Sequence, residues 1–522
     1  MKQSHIIIII LVFTLLGCNS QKKKSAILNT EIANKKPNIL IIFPDQLRRY
    51  SAGFWSQKPY KSLVVGKPDP VVTPTIDKLA KNGVVFTQAV SNFPLCSPYR
   101  GMMLSGLYPE QNGIWNNCKK GREHSLKDDI ATIPELFLKE GYNTSYFGKC
   151  HWLKTEPLFD KKGTYIGSTE APGGHYINTY DTYIPPGKRH GIEYFYQSIK
   201  DEHYNPHIYS NDPNTIEGKK DGELHLPKIF SPKNEADKII KYLKNKNGQR
   251  DSSKPFCMIW SMNPPHNPWT DESTDMDVLR THYNIDKFPK VDDNLLVRKN
   301  ADKEVGKYAR HYYANVTSSD KYIGHVLDEL ERMGEIDNTI IIFSSDHGEM
   351  LGSHGRKGKN VVELESTAIP FIVHWPKKLK SGITDVLFSV PDVLPTTMGL
   401  AGIANKIPKE IQGTDFSSII KNDKNSQVKK PKAILFMLVN SRGVLTNRYT
   451  LCLKENAKKR TIIEAFLYDN KEDPYQLNKI KLSDKPKVTK ELLLELSKLL
   501  EKTNDPWFQE KKYQELIPYQ SI

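Results

Sequence analysis

Four runs along the chain are apolar without alternation: "NILIIF" at 38–43, "FCMIWS" at 256–261, "TIIIFSS" at 339–345 and "PFIVHW" at 370–375. A strand with one wet face alternates, whereas a strand covered on both faces need not, so these β-branched runs predict inner strands of a covered sheet. Between them the period changes to that of a helix. Thr73 with Pro74 opens one helix that Gly83 closes, and Thr132 with Pro134 opens another that Gly141 closes. "DKYIGHVLDELERMG" sets Ile323, Val326, Leu327 and Leu330 on one stripe. This alternation predicts an α/β fold, a large and mostly parallel sheet flanked by helices, over residues 37–425. A lysine-rich link follows, and then "AILFMLV", "RGVLTNRYTLCLK" and "TIIEAFLYD" are short and punctuated by turns. They predict a smaller C-terminal α+β domain, 426–522, built on an antiparallel sheet with a leucine-rich helix at 489–500.

The amino end departs from this pattern. "MKQSHIIIIILVFTLLGCNS" has a cationic start and an apolar run from Ile6 to Leu16, too short to span a bilayer. It predicts an export signal over 1–17. "LLGC" resembles a bacterial lipobox, which implies cleavage before Cys18, lipidation of its thiol and a polar tether over 18–36. The expectation is an exported protein held in the bacterial envelope, touching membrane only through its lipid.

Across 522 residues the net charge is +15. Such a surface is either a solvated lysine coat or an attractor of polyanions. An exported chain with no zinc knuckle and no aromatic-basic platform points to polyanionic carbohydrate rather than nucleic acid. Six cysteines are too few and too scattered for a disulfide framework, though one bridge is possible.

Ligands of open α/β sheets sit beyond the carboxyl ends of the strands. There "NILIIF" delivers Asp45 and Gln46, "FCMIWS" delivers Asn263 and His266, and "TIIIFSS" delivers Asp346 and His347. Asp45, Gln46 and Asp346 offer the hard oxygens that calcium prefers, or else cap turns. His347 better suits a transition metal. Cys96, two residues before Pro98, enters a helix whose free N–H groups favour either a reactive thiol or a bound anion. A small buried hydrophobe is the alternative.

"CSPYRGMMLSGLYP" resembles the signature of the type I sulfatases, in which Cys-x-Pro-x-Arg directs oxidation of the cysteine to formylglycine (3-oxoalanine). The resemblance runs from about Pro37 to Asn478 through "PNILIIFPDQ", "GYNTSYFGKCHW", "KPFCMIWSMNPPHNPW", "DNTIIIFSSDHGEMLGSHG" and "FLYDNKEDPYQLNKI", in the family's order. It implies the alkaline phosphatase-like fold and a sulfuric ester hydrolase matured by a formylglycine-generating enzyme. Cys96 then becomes an aldehyde hydrate that attacks sulfur. Asp45, Gln46, Asp346 and His347 match the ligands of one divalent cation, usually calcium. Arg100 matches the residue that holds the aldehyde loop. Lys149 and His151 match the pair beside the hydrate, with His151 as base, and His266 and Lys359 match the groups that grip sulfate and protonate the leaving oxygen. Gln46 stands where many relatives carry a second aspartate, and Cys150 where tryptophan is common. The segment 185–214, rich in His, Tyr and Asn, suggests His203 and Tyr204 for a sugar pocket. The implied substrate is a sulfated polysaccharide or its oligosaccharides: ulvan, carrageenan or glycosaminoglycan. Two alternatives are a phosphodiester or phosphonate monoester hydrolase of the same superfamily and an inactive glycan-binding lipoprotein.

Overall fold

The computed structural model describes residues 35–510 and 516, apart from 65–67, 120–121, 155–180, 200–202, 213, 215–219 and 285–307. The expected signal segment 1–17, Cys18 and nearly all of the expected 18–36 tether lie outside the described residues. Among the described residues, no helix is long and apolar enough to cross a membrane.

The main sheet has nine strands: β1 (Asn38–Asp45), β2 (Val84–Phe86), β3 (Asn143–Gly148), β4 (Tyr194–Ser198), β5 (Ile208–Ser210), β6 (Phe256–Pro265), β7 (Thr339–Phe343), β8 (Ile372–His374) and β9 (Gly382–Thr384). Their spatial order is β9–β2–β8–β7–β1–β6–β3–β4–β5. The five central strands, β7 to β4, are parallel, and Ile41 of β1 lies opposite Ile259 on one side and Ile342 on the other. β8 is antiparallel to both its neighbours, and β5 is antiparallel to β4. The sheet is therefore mixed, with a parallel centre. "PFIVHW" reads like the central strands because it too is covered on both faces; burial does not encode direction.

Alternate residues of β1 feed two cores, which is why its run does not alternate. Ile39, Ile41 and Phe43 pack with Tyr99, Met102 and Met103 of α1 (Cys96–Ser105). Leu40 and Ile42 pack with Ile239 and Tyr242 of α2 (Ser231–Lys244) and with Tyr312, Val316 and Ile323 of α3 (Ala309–Arg332). α3 begins well before Asp320 because Tyr312, Tyr313 and Val316 extend its buried stripe backwards. The helix Pro74–Asn82 opens after Thr73 and ends at Gly83, but Thr73 does not cap it. Asp320 of α3 does so instead, accepting from the N–H groups of Thr75 at 3.0 Å and Ile76 at 2.7 Å.

The C-terminal sheet is antiparallel in chain order: β10 (Ile434–Leu438), β11 (Ser441–Leu445), β12 (Tyr449–Glu455), β13 (Ile462–Asp469) and β14 (Ile480–Lys481). α4 (Pro486–Lys502) lays Leu492, Leu493, Leu496 and Leu500 into the same core as α1. Strand β10 also grips the loop that leads to Cys96. The Asn92 side-chain amide donates to the Leu435 carbonyl at 2.8 Å, and the Met437 N–H donates to the Asn92 carbonyl at 2.9 Å. The small sheet thereby fixes the entry to α1.

Candidate active site

β1, β6 and β7 end side by side, so their following residues converge. Parallel register holds from Ile39 to Pro44 and then slips, bringing Asp45 opposite Pro265. Gln46 turns the chain with φ of 70°, a left-handed conformation that a non-glycine residue adopts only when its surroundings enforce it. Its N–H donates to the Asp346 carboxylate at 2.8 Å and its carbonyl accepts from the Tyr312 hydroxyl at 2.8 Å. These bonds tie the ends of β1 and β7 together over α3.

Cys96 is the first residue of α1, behind an extended Leu95 that provides no side-chain cap. The whole of α1 is buried. The Cys96 Sγ lies 3.3 Å from His347 Nε2 and 3.8 Å from Asp45 Oδ1. One ligand atom from each of Asp45, Cys96, Asp346 and His347 lies within 4.8 Å of the others. His347 Nδ1 faces the Gly348 carbonyl at 2.9 Å, which places its hydrogen there and turns the lone pair of Nε2 toward the cluster. Two carboxylates removed from water and an imidazole lone pair make a donor set that fits a divalent cation.

One turn further along α1, Arg100 is completely buried beneath this cluster. It donates to the Lys149 carbonyl at 2.6 Å, to the Ser261 hydroxyl, and to Asp45 and Asp346 at 3.1 and 3.5 Å. Lys149 adds a 2.9 Å ion pair to Asp45. His151 is buried with φ of 53°, and its side chain is among the groups that lower the Cys96 thiol. Lys359 donates to the Gln46 amide oxygen and lies 2.9 Å from His266 Nε2. All ten residues expected from the sequence for catalysis and metal binding thus meet at one place.

Charge sets the state of these groups. Burial raises Asp45, as does Cys96, yet Lys149, His266 and Arg100 hold it well below the usual carboxylate range. Asp346, buried beside Asp45 and only partly offset by His347, is pushed up to about 6. Burial also raises the Cys96 thiol, but Lys149, Lys359 and His347 bring it well below its ordinary value. Burial, the largest effect on His347, lowers it, as does Lys359, but Asp346 and Cys96 together turn its net shift upward. Three permanent cations, Arg100, Lys149 and Lys359, thus gather about position 96 and the two carboxylates.

His203 and Tyr204 lie outside this cluster. His203 is fully buried with Nδ1 2.7 Å from the Ser273 carbonyl, and Tyr204 packs on Phe230 with ring centroids 5.0 Å apart. The five described cysteines are all unbridged and buried. Sequence reasoning did not single out Ser261, Tyr146 or Glu349. Tyr146 donates to the Lys149 carbonyl at 2.6 Å, and Glu349 accepts from the Gln46 amide at 2.6 Å.

A family model described as "Sulfatase" matches residues 37–403. The chain belongs to the sulfatase family. It is a sulfuric ester hydrolase, and a second model, "N-sulphoglucosamine sulphohydrolase, C-terminal", matches residues 352–505 of this sulfatase. An endo-4-O-sulfatase of Bacteroides thetaiotaomicron is 36% identical to it over 97% of this chain and 99% of that one. An ulvan-active sulfatase of Formosa agariphila is 30% identical over 91% of this chain and 82% of that one. A solved B. thetaiotaomicron structure, from work on the metabolism of multiple glycosaminoglycans, superposes with a TM-score of 0.84 at 37% identity, covering 93% of this chain and all of that one. The alkaline phosphatase-like fold follows from these neighbours.

Proposed function

We propose that this sulfatase removes sulfate esters from a sulfated polysaccharide or its oligosaccharides, with a glycosaminoglycan as the favoured substrate, through a formylglycine made from Cys96. One observation carries the reading: Cys96 opens a buried helix within reach of Asp45, Asp346 and His347, ringed by Arg100, Lys149 and Lys359. The near full-length similarity to an endo-4-O-sulfatase supports the substrate class.

The oxidised side chain, once formed and hydrated, supplies an oxygen nucleophile for sulfur. A calcium ion held by Asp45, Gln46, Asp346 and His347 would draw charge from the sulfate oxygens. The remaining work belongs to the protein. Arg100 binds both carboxylates and the carbonyl before Cys150, so the floor of the site cannot shift without breaking several charge-assisted bonds. His151, against position 96, is placed to take a proton from it. His266 Nδ1 lies 2.8 Å from the Asn267 carbonyl and so carries the hydrogen. Its Nε2 then accepts from the Lys359 ammonium, making the pair a proton store for the departing sugar oxygen. The Lys359 ammonium also suits the sulfate itself. The "LLGC" segment supports export and anchoring through lipid at Cys18, with maturation by a formylglycine-generating enzyme before use.

The test is expression of the full chain with a maturation enzyme, followed by mass spectrometry of the Cys96 peptide and assay of sulfate release. The panel holds oligosaccharides of 4-O-sulfated glycosaminoglycan, ulvan and carrageenan, plus an aryl phosphodiester and a phosphonate monoester. The expected result is an aldehyde at position 96 and sulfate release from the glycosaminoglycan, lost in Cys96→Ala. Dominant phosphodiester or phosphonate turnover, or an intact aldehyde with no sulfate released, overturns the proposal.

A further inference from the structure

Gln46 stands where a carboxylate would bind a cation in either rotamer. An amide does so in only one, because turning it over replaces a carbonyl oxygen with an NH2 that repels a cation. Something must therefore set its orientation. The Gln46 Nε2 donates to Glu349 Oε2 at 2.6 Å, and its Oε1 accepts from the Lys359 ammonium. A carboxylate only accepts and an ammonium only donates, so this pair of neighbours permits a single rotamer. Glu349 is itself held. It is fully buried, and its Oε1 accepts from the N–H groups of Leu351 at 2.9 Å and Gly358 at 2.6 Å. The Met350 N–H donates to the Gly358 carbonyl at 2.8 Å, closing the same loop. Glu349 thus stands at the neck of a loop whose far end carries Lys359.

We infer that Glu349 is a positioning residue that fixes the Gln46 amide with its oxygen toward the cation site and joins that ligand to the Lys359 loop. It also returns, one layer further out, the negative charge that glutamine lacks at position 46. This inference rests on the assignment of Gln46 to the cation site in the proposed function. Outer partners of this kind commonly govern affinity by about 10–100-fold.

The experiment uses calorimetric titration of calcium into the chelator-treated full chain, with thermal unfolding of each variant in the absence of calcium. Glu349→Gln presents an amide to an amide and frees Gln46 to turn over, so calcium affinity falls by about 10-fold or more. Gln46→Asp alone also loses affinity, because its carboxylate then faces that of Glu349. Combining the two restores binding toward wild type, since an aspartate has no wrong rotamer and the amide introduced at position 349 can donate to it. Wild-type affinity in Glu349→Gln overturns the inference. So does a double variant no better than Glu349→Gln, which marks Glu349 as a purely structural support of its loop. A wild-type chain that takes up no calcium overturns the cation reading itself, and this inference with it.

Discussion

His266 has a carbonyl on one ring nitrogen and an ammonium on the other, an arrangement that keeps Nε2 ready to receive and pass on a proton. A sugar alkoxide needs that proton to leave; an activated phenolate does not. His266→Ala is therefore expected to lower kcat/KM on a sugar sulfate by about 10²–10⁴-fold while sparing a nitrophenyl sulfate, read from steady-state rates on both. Equal losses on the two substrates contradict proton donation. At this scale the site was legible wherever chemistry-bearing residues follow a buried strand, as with Asp45, Gln46, Asp346 and His347. Cys96 and Arg100 were legible through their signature. Ser261 was not, because a serine closing an apolar run carries no sign that an arginine will reach it. Glu349 had a weak sign: it is the lone acid within "HGEMLG", among glycine and apolar neighbours. His203 illustrates the reverse case, a histidine in an aromatic stretch that lies buried with its Nδ1 on the Ser273 carbonyl, away from the cluster.

Among the elements, α2 is tied to the sheet by one buried acid. Glu235 accepts from the Ser198 hydroxyl of β4 at 2.8 Å and from the Trp260 indole N–H of β6 at 2.7 Å, and burial lifts it from 4.5 to about 7. Its folded value exceeds its unfolded one, so the acid contributes stability that is complete below about pH 4.5 and is lost as pH rises through 7. Glu235→Gln imitates the protonated acid at every pH. Its expected gain over wild type is absent at pH 4.5 and grows to at most about 3 kcal/mol at pH 8, measured by urea unfolding at both pH values. A gain equal at both pH values argues that folding leaves the pKa of this acid unshifted. The same residue explains what the sequence hid at this level. Strand β4 lies within "GIEYFYQS", where Glu193, Gln197 and Ser198 stand among the aromatics, so the segment reads as a polar surface loop until Glu235 and β5 are seen to cover it. The turn at 446–448 that splits "RGVLTNRYTLCLK" into β11 and β12 contains neither glycine nor proline, the usual punctuation. Helix ends fared better where a local cap exists: Thr132 and Glu135 form a full capping box.

On the scale of the whole molecule, 75 basic against 60 acidic residues surround a site that is itself short of negative charge. Such a field acts over a distance set by salt, about 30 Å at 0.01 M and about 8 Å at 0.15 M. A long polyanion feels the whole surface, whereas a small aryl sulfate feels chiefly the pit, where Lys149 and Arg100 are buried and poorly screened. Raising ionic strength between those limits is therefore expected to lower kcat/KM on a sulfated polysaccharide by on the order of 10-fold, through KM, and to leave an aryl sulfate within about 2-fold. Parallel losses on the two substrates would place the salt effect inside the catalytic pit, by competition of the added anion with sulfate. That outcome would deny the basic surface any part in gathering substrate, and would make the lysine coat a matter of solubility alone.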